Sequence, residues 1–396
     1  MLKGKTVLLG VSSSIAAYKM CNVARVLTKL GADVHVSMTA NAQNFVHPLT
    51  FETLTQNKCL IDTFDRNFQY SVEHVAIAKK ADVVMVAPAT ANIIGKIANG
   101  IADDMLTTTV MACTCKKIIA PAMNHNMLHN PIVQDNIKKL RHFGYEIIEP
   151  IRGMLANRDI GDGKLPDEET LVEYILREIS FEKDLKDKKI LVTAGATREK
   201  IDPVRFISNH SSGKMGFAIA RAAMLRGAEV IVVSAHTDIE PPMFVKVIKA
   251  ESAEDMFNAV KENMHDADII IKAAAVADYT PVTFSDSKIK KSESDMSITL
   301  KRTTDILKYI SENRRSNQII CGFSMETDNV IENSRKKLES KKCDMICANS
   351  LKISGAGFGT DTNIITMITK NSSEEIELMS KFDAANIILS KLNNMI

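Results

Sequence analysis

The sequence predicts an α/β protein built of two doubly wound, three-layer domains. Three observations carry this expectation. The chain has 396 residues, too many for one ordinary core. Short β-branched runs alternate with segments of helical period in two separate series. Between them lies a charged stretch, Glu182-Lys183-Asp184-Leu185-Lys186-Asp187-Lys188-Lys189, which reads as a linker. The expected domains are residues 1–182 and 188–396.

In the first series the expected strands are 6–11, 33–38, 83–87, 117–120 and 145–148, with helices at 15–30, 93–98 and 132–143. The glycine at Gly31 supplies the stop between the first helix and the second strand. Residues 151–166 hold Gly153, Gly161, Gly163 and Pro166 among few apolar residues, and predict a mobile flap instead of a core element. A helix over 167–179 follows. The second series predicts strands at 190–193, 230–234, 244–248, 269–273, 319–323 and 345–348. Its helices fall at 214–226, 253–264, 305–313 and 330–340, and a hairpin of 363–369 and 375–379 precedes a last helix. Folds of this kind take ligands at the carboxyl ends of their strands.

Composition narrows the partners. Lys plus Arg (50) nearly balances Asp plus Glu (48), so no overall field draws nucleic acid or an anionic membrane surface. No apolar run reaches the ~18 residues of a membrane span. The start, Met1-Leu2-Lys3-Gly4-Lys5, enters a strand without a leader-like segment, so a soluble, cytoplasmic protein is expected. The seven cysteines, at 21, 59, 113, 115, 321, 343 and 347, fit no disulfide framework. Neither Cys113-x-Cys115 nor Cys343-x3-Cys347 has the second ligand pair of a zinc site, and the sequence assigns no metal ligands.

The densest chemistry lies in Arg205-Phe206-Ile207-Ser208-Asn209-His210-Ser211-Ser212-Gly213-Lys214-Met215-Gly216, between a strand-like and a helix-like run. Small hydroxyl residues and glycine before a helix offer backbone N–H groups and a positive dipole end to an anion. The loop departs from a Walker A motif, with Ser208 where a glycine is required and Met215 where a hydroxyl is. Taken alone it reads equally as a serine-capped helix with a solvated lysine. Lys288, Lys290 and Lys291 form a basic cluster, and Lys337 and Lys341 share a helix face. Without the loop, these would read as solvated charges.

In the first half, Gly10-Val11-Ser12-Ser13-Ser14 closes a strand and opens a helix. Its single glycine argues against a dinucleotide fingerprint and for a mononucleotide such as FMN, the alternative being a triple-serine cap with no ligand. Ala87-Pro88-Ala89-Thr90-Ala91-Asn92 and Pro121-Ala122-Met123-Asn124 end two strands with small and amide residues beside which a flat ring could lie. His74 reads either as a structural histidine or as a general base near neutral pH.

Together with Ile15-Ala16-Ala17-Tyr18-Lys19, Ala98-Asn99-Gly100-Ile101-Ala102-Asp103-Asp104 and Met127, these segments resemble the flavin-dependent cysteine decarboxylases, specifically the phosphopantothenoylcysteine decarboxylases. Thr193-Ala194-Gly195-x-Thr197-Arg198-Glu199, the segment from Asp202 to Gly216, and Ala273-Ala274-Ala275-Val276-Ala277-Asp278-Tyr279 resemble the phosphopantothenate-cysteine ligases. Their order matches the bifunctional bacterial coenzyme A biosynthesis family over essentially the whole chain. The resemblance implies a flavoprotein-type front domain that binds FMN and a Rossmann-like ligase back domain. In front it implies FMN contacts at Gly10, Ser12, Ser13, Ser14, Thr39, Pro88, Ala89, Thr90 and Asn92, with His74 as base and Asn124 and Met127 on the substrate carboxylate. Behind, it implies CTP and Mg²⁺, with 4′-phosphopantothenate and L-cysteine joined through an acyl-cytidylate. Asn209 and Lys288 would serve that chemistry, and Ser211, Ser212, Gly213 and Lys214 the substrate. Nucleotide contacts would fall on Lys272, Ala273, Ala274, Asp278 and Lys288, on Thr304, Asp305, Ile306 and Leu307, and on Phe323, Lys337 and Lys341. Trimeric front domains and dimeric back domains would make a large homo-oligomer.

Three departures stand out. The family places a proton-donating cysteine on the flap; here Leu155-Ala156-Asn157-Arg158-Asp159-Ile160-Gly161-Asp162-Gly163 puts Asn157 there, and an amide is no such acid. Either another group donates, or the front half stops at the enethiol, or it only scaffolds assembly. Retention of His74 and Asn124 favours another donor. Ser13 and Ser14 stand where the family commonly has a glycine, and Thr303-Thr304-Asp305-Ile306 where it often has Asn-Pro-Asp-Ile.

Overall fold

The computed structural model describes residues 1–64, 73–155, 158–291, 295–326, 329–350, 357 and 359–395, in two compact units, Met1–Phe181 and Glu182–Ile396. In the first unit the order is β1 (Thr6–Val11), α1 (Lys19–Lys29), β2 (Asp33–Met38), α2 (Pro48–Thr55), α3 (Glu73–Lys80), β3 (Val83–Ala89), α4 (Ala91–Ala98) and α5 (Met105–Ala112). There follow β4 (Lys116–Pro121), α6 (His125–Leu128), α7 (Pro131–His142), β5 (Glu146–Ile147), β6 (Ile151–Met154), β7 (Ile160–Lys164) and α8 (Glu168–Ile179). The sheet runs β2-β1-β3-β4-β5, all parallel. Strands β1 and β3 are buried at every position, as parallel strands covered by helices on both faces must be. Chain direction across the sheet reverses between β1 and β3, which opens a crevice beyond their carboxyl ends.

Two expectations need correction here. The helix expected over 15–30 is a 3-10 turn, Ile15–Tyr18, followed by α1. The buried period begins only at Met20, Val23, Ala24 and Leu27, whereas Ile15 and Tyr18 point to solvent. The glycine-rich segment expected as a flap contains an antiparallel ribbon, β6–β7, tied to the chain that follows β4. Met123 N donates to Gly163 O at 3.1 Å, and Lys19 Nζ donates to the carbonyls of Leu165 and Pro166. Gly163 has φ +123°, and a Cβ there would lie 2.2 Å from Met123 O. The glycine signal therefore marks close backbone approach. Helix α5 went unforeseen because its buried residues, Met105, Leu106, Thr107, Thr109 and Val110, spread around the axis and leave no polar stripe.

The second unit comprises β8 (Lys189–Ala194), β9 (Arg198–Lys200), β10 (Phe206–Ser208), α9 (Lys214–Leu225), β11 (Glu229–Ser234), β12 (Lys246–Lys249), α10 (Ala253–Asn263) and β13 (Ile269–Lys272). It continues with β14 (Tyr279–Pro281), β15 (Leu300–Arg302), α11 (Ile306–Asn313), β16 (Ile319–Glu326), α12 (Val330–Ser340), β17 (Met345–Ser350), β18 (Thr362–Thr369), β19 (Ser373–Ser380) and α13 (Lys381–Asn393). Its sheet runs β12-β11-β8-β13-β16-β17-β18-β19, parallel as far as β17 and antiparallel beyond. Strand order reverses between β8 and β13, again opening a crevice. The stretch expected as a linker belongs to this unit. Leu185 is fully buried, Asp184 pairs with the buried Arg226, and Lys183 Nζ donates to Leu225 O at 2.6 Å. One buried leucine among charges left too little pattern to read.

Candidate functional site

In the first unit, four strand ends form a crest. Ser12 is buried; its Oγ donates to Pro88 O at 2.8 Å and accepts from Thr90 N at 3.1 Å, joining the ends of β1 and β3. Thr39 N donates to Val11 O and Ala122 N to Ala89 O, which extends the crest to β2 and β4. Gly10 lies inside β1, where a Cβ would stand 2.5 Å from Leu106 Cδ1, so its missing side chain makes room for α5. Thr90 caps α4, whose first turn carries the exposed Asn92, and Ser14 caps the 3-10 turn.

Beside the crest lies a cavity of about 610 Å³, lined by Ser14, Lys19, Met123, Asn124 and Lys164 among others. Asn124 caps α6, its Oδ1 accepting from Asn126 N at 2.9 Å, and Met127 stands half-exposed on that helix. The crest suits a ligand with polar substituents. Ser37 Oγ and Thr39 Oγ1 are buried without a hydrogen-bond partner among the described residues, a costly state in a closed core. A flavin with a hydroxylated, phosphorylated tail offers groups that would satisfy them, and the residues fit that cofactor. His74 lies on the first turn of α3, which packs on α5, and is not among the residues lining the cavity. Asn157 lies outside the described residues.

In the second unit the loop of residues 205–216 is held from both ends. Ribbon β9–β10 pairs Ile207 with Glu199, and Ser208 Oγ donates to Thr197 O at 2.8 Å. At the other end Gly213 starts α9 with φ +81°, and a Cβ there would meet Thr237 Cγ2 at 2.4 Å. Between them Asn209 Nδ2 donates to Ala275 O at 3.2 Å, which brings the loop against the end of β13. Thr193 Oγ1 and Thr197 Oγ1 accept from Ala274 N and Ala277 N, fixing the 273–278 segment to β8 and the turn that follows it.

Asp202 organises the edge of this site. Its side chain is fully buried and accepts from the guanidinium of Arg205 and from the backbone N–H groups of Val204, Arg205 and Ile289. The Arg205 guanidinium, with burial opposing it, holds the carboxyl far below the usual carboxylate range. Arg205 in turn donates to Ile289 O at 2.8 Å. Both backbone groups of Ile289 are thereby pinned, and the exposed Lys288 is held next to them.

A second group gathers charge. Burial, aided by Lys337, lowers the Lys272 ammonium to about 8, against the pull of Asp305 and Asp278. Asp305 caps α11 and pairs with Lys341; burial would raise its carboxyl, yet Lys341 and the N–H of Lys308 bring it below the usual value. Lys337 Nζ donates to Phe323 O at 3.0 Å. Thr303 Oγ1 donates to Ala277 O, and ribbon β14–β15 pairs Tyr279 with Arg302, so Thr304 is carried toward Asp278. Ile306 and Leu307 are buried in the core, which leaves only the backbone of that turn to face a ligand.

Ser211, Ser212, Gly213 and Lys214 share a pocket of about 140 Å³ with Ala273, Ala274 and Phe323. Lys214 pairs with Asp361 at 2.7 Å and donates to Gly359 O. Lys381 and Asn349 are among the residues of this pocket that the sequence does not mark. Lys381, at the start of α13, is 5% exposed, and burial, then Lys214, lowers its ammonium to about 8. Asn349, next to last in β17, has its Oδ1 buried and unpartnered among the described residues. A lysine inside the apolar period of the last helix was the available signal for the first; nothing in Ala348-Asn349-Ser350 distinguishes the second from a strand end.

Residues 1–180 match the family model described as Flavoprotein, and residues 185–395 that described as DNA/pantothenate metabolism flavoprotein C-terminal domain. The coenzyme A biosynthesis bifunctional protein CoaBC of Bacillus subtilis is 46% identical over 396 residues, 99% of this chain and 97% of its own. The protein of that name from Borreliella burgdorferi is 42% identical over 394 residues, 99% of this chain and 100% of its own. A crystal structure described as the C-terminal domain of coenzyme A biosynthesis bifunctional protein CoaBC is 43% identical and covers 54% of this chain and 98% of its own, with a TM-score of 0.47. With relatives matched from end to end and both halves assigned in order, the chain belongs to the family of bifunctional coenzyme A biosynthesis proteins, which unite a phosphopantothenoylcysteine decarboxylase with a phosphopantothenate-cysteine ligase.

Proposed function

We propose that the second unit uses CTP and Mg²⁺ to activate 4′-phosphopantothenate. A carboxylate oxygen of that substrate attacks the α-phosphorus and pyrophosphate leaves; the amine of L-cysteine then attacks the acyl carbon, CMP leaves and the amide forms. Lys288 and Asn209 stabilise charge on the reacting phosphorus and acyl groups. The serines, Gly213 and Lys214 hold substrate, while Lys272, Asp278, Asp305, Lys337 and Lys341 frame the nucleotide. The observation that carries this reading is the Asp202 clamp, which spends a buried carboxylate on fixing the backbone next to Lys288. A solvated lysine needs no such support. Incubation with 4′-phosphopantothenate and CTP, without cysteine, tests it: acyl-cytidylate and pyrophosphate accumulate with CTP and not with ATP. No pyrophosphate with either nucleotide overturns it.

The first unit takes FMN on the crest formed by Ser12, Ser13, Ser14, Thr39, Pro88, Ala89, Thr90 and Asn92. Bound there, FMN supplies a two-electron sink for oxidation next to sulfur and the electrons for the later reduction. His74 removes a proton, and Asn124 and Met127 hold the carboxylate that departs as carbon dioxide. A group other than a thiol at position 157 supplies the last proton, so 4′-phosphopantetheine is the product. The cofactor released on denaturing the purified protein identifies the flavin. The protein acts in the cytoplasm as a homo-oligomer with trimeric front and dimeric back domains; mass measured by light scattering checks the assembly.

A further inference from the structure

The side chains of His125, His129 and Asp162 converge where helix α6 meets the β6–β7 hairpin, outside the residues assigned above. One ligand atom from each lies within 4.8 Å of the other two. His129 Nε2 is 3.3 Å from Asp162 Oδ2, and His125 Nδ1 is 3.9 Å from it. A four-coordinate zinc centre with ligands at ~2.0–2.1 Å has edges of about 3.3 Å, so the set needs only a small contraction to close on an ion. The spacing is not accidental to the fold. His125 opens α6 and His129 caps its carboxyl end, four residues on, their ring centroids 4.4 Å from each other. The hairpin is shaped to receive them: a Cβ at Gly161 would stand 3.0 Å from the Cβ of His125, and Asp162 N donates to His125 Nδ1 at 3.3 Å, a long contact that the ion replaces on that nitrogen. All three side chains are about half open to water, which leaves room for solvent to complete the coordination.

We propose that His125, His129 and Asp162 bind a late first-row divalent cation, such as Zn²⁺, Co²⁺ or Ni²⁺, with water in the remaining positions. Two imidazoles with one carboxylate suit these ions and not Mg²⁺, which takes oxygen ligands. The ion clips the hairpin to the helix that starts at Asn124, joining two elements already linked by the Met123–Gly163 hydrogen bond. The ion is structural here, and its binding does not depend on the reaction assigned to the first unit.

Titration of the untagged full-length protein with Co²⁺, followed by its visible d–d absorption, tests the site, with displacement by Zn²⁺ as a second readout. The expected result is saturation at one Co²⁺ per chain with bands of four- or five-coordinate cobalt. Loss of an outer-sphere partner alone weakens metal sites about 10–100-fold, so Asp162→Asn and His129→Gln are each expected to cost at least that. His129→Gln retains a hydrogen-bonding group beside Asp162 and separates loss of a ligand from loss of a contact. His142→Ala, an exposed histidine on α7, leaves binding unchanged. Absence of saturable binding by the wild-type chain, or binding undiminished in both variants, overturns the proposal.

Discussion

The two units hold their candidate residues in different ways. In the second unit the reactive side chains hang on backbone that other side chains have already fixed: Asp202 grips Ile289 beside Lys288, Ala275 accepts from Asn209, and Thr193 and Thr197 tether the strand end that follows Lys272. In the first unit the crest of strand ends is held in the same way, but His74 is not among the residues that line the cavity with Asn124. A site whose parts come from one crevice assembles with the fold. A site with its base on a helix outside the cavity lining draws on more than one part of the fold.

Substitutions confined to one unit test that difference. The largest effect is expected for His74→Gln, which should lower decarboxylation of phosphopantothenoylcysteine by about 10²–10⁴-fold. Pyrophosphate release by the same protein should hold at the wild-type rate, and a fall in both would mean that the units do not act separately. Next is Asp202→Asn. Freeing Ile289 lets Lys288 drift, and misplacement by about 1 Å costs on the order of 10²-fold in rate. Ligase turnover should drop by that factor while decarboxylation persists; a ligase change under about threefold would remove the clamp from the mechanism.

A smaller effect follows from Lys272, whose folded pKa of about 8 lies below its ordinary 10.5. Between those values the unfolded chain binds more protons, so this group adds stability as pH rises through the window and costs stability below it. A bound polyphosphate favours the charged form and draws a proton in near pH 8. Calorimetric titration with CTP in two buffers of different ionisation enthalpy should show that uptake, and Lys272→Met should abolish it. Affinity should weaken above pH 8 by at most about tenfold per unit. Smallest is Thr39→Val: one lost hydrogen bond of about 0.5–1.5 kcal/mol corresponds to a roughly two- to tenfold rise in the flavin dissociation constant. An unchanged constant would mean that Thr39 Oγ1 does not meet the cofactor.

The sheets were legible in the sequence because parallel strands covered on both faces read as unbroken apolar runs, as in β1, β3 and β13. The ribbons β9–β10 and β14–β15 were not. Arg198-Glu199-Lys200 and Leu300-Lys301-Arg302 are short and charged, and carry no apolar alternation. The glycines of 151–166 were noticed, but their meaning depended on Met123 lying across from Gly163, a contact between segments distant in sequence. The motif around Asn209 could be read at once, whereas Lys381 and Asn349, which share its pocket, arrive from the last helix and the sixth strand of the sheet and carry no local mark. Proximity in sequence exposes a loop. It does not expose what the fold brings to that loop.

The central claim is that one chain carries both reactions to completion. Purified protein supplied with 4′-phosphopantothenate, L-cysteine, CTP and Mg²⁺, with the products resolved by mass, measures it directly. The account predicts 4′-phosphopantetheine with pyrophosphate and carbon dioxide in equal amounts. Arrest at phosphopantothenoylcysteine, or a decarboxylated product two mass units short, would contradict it.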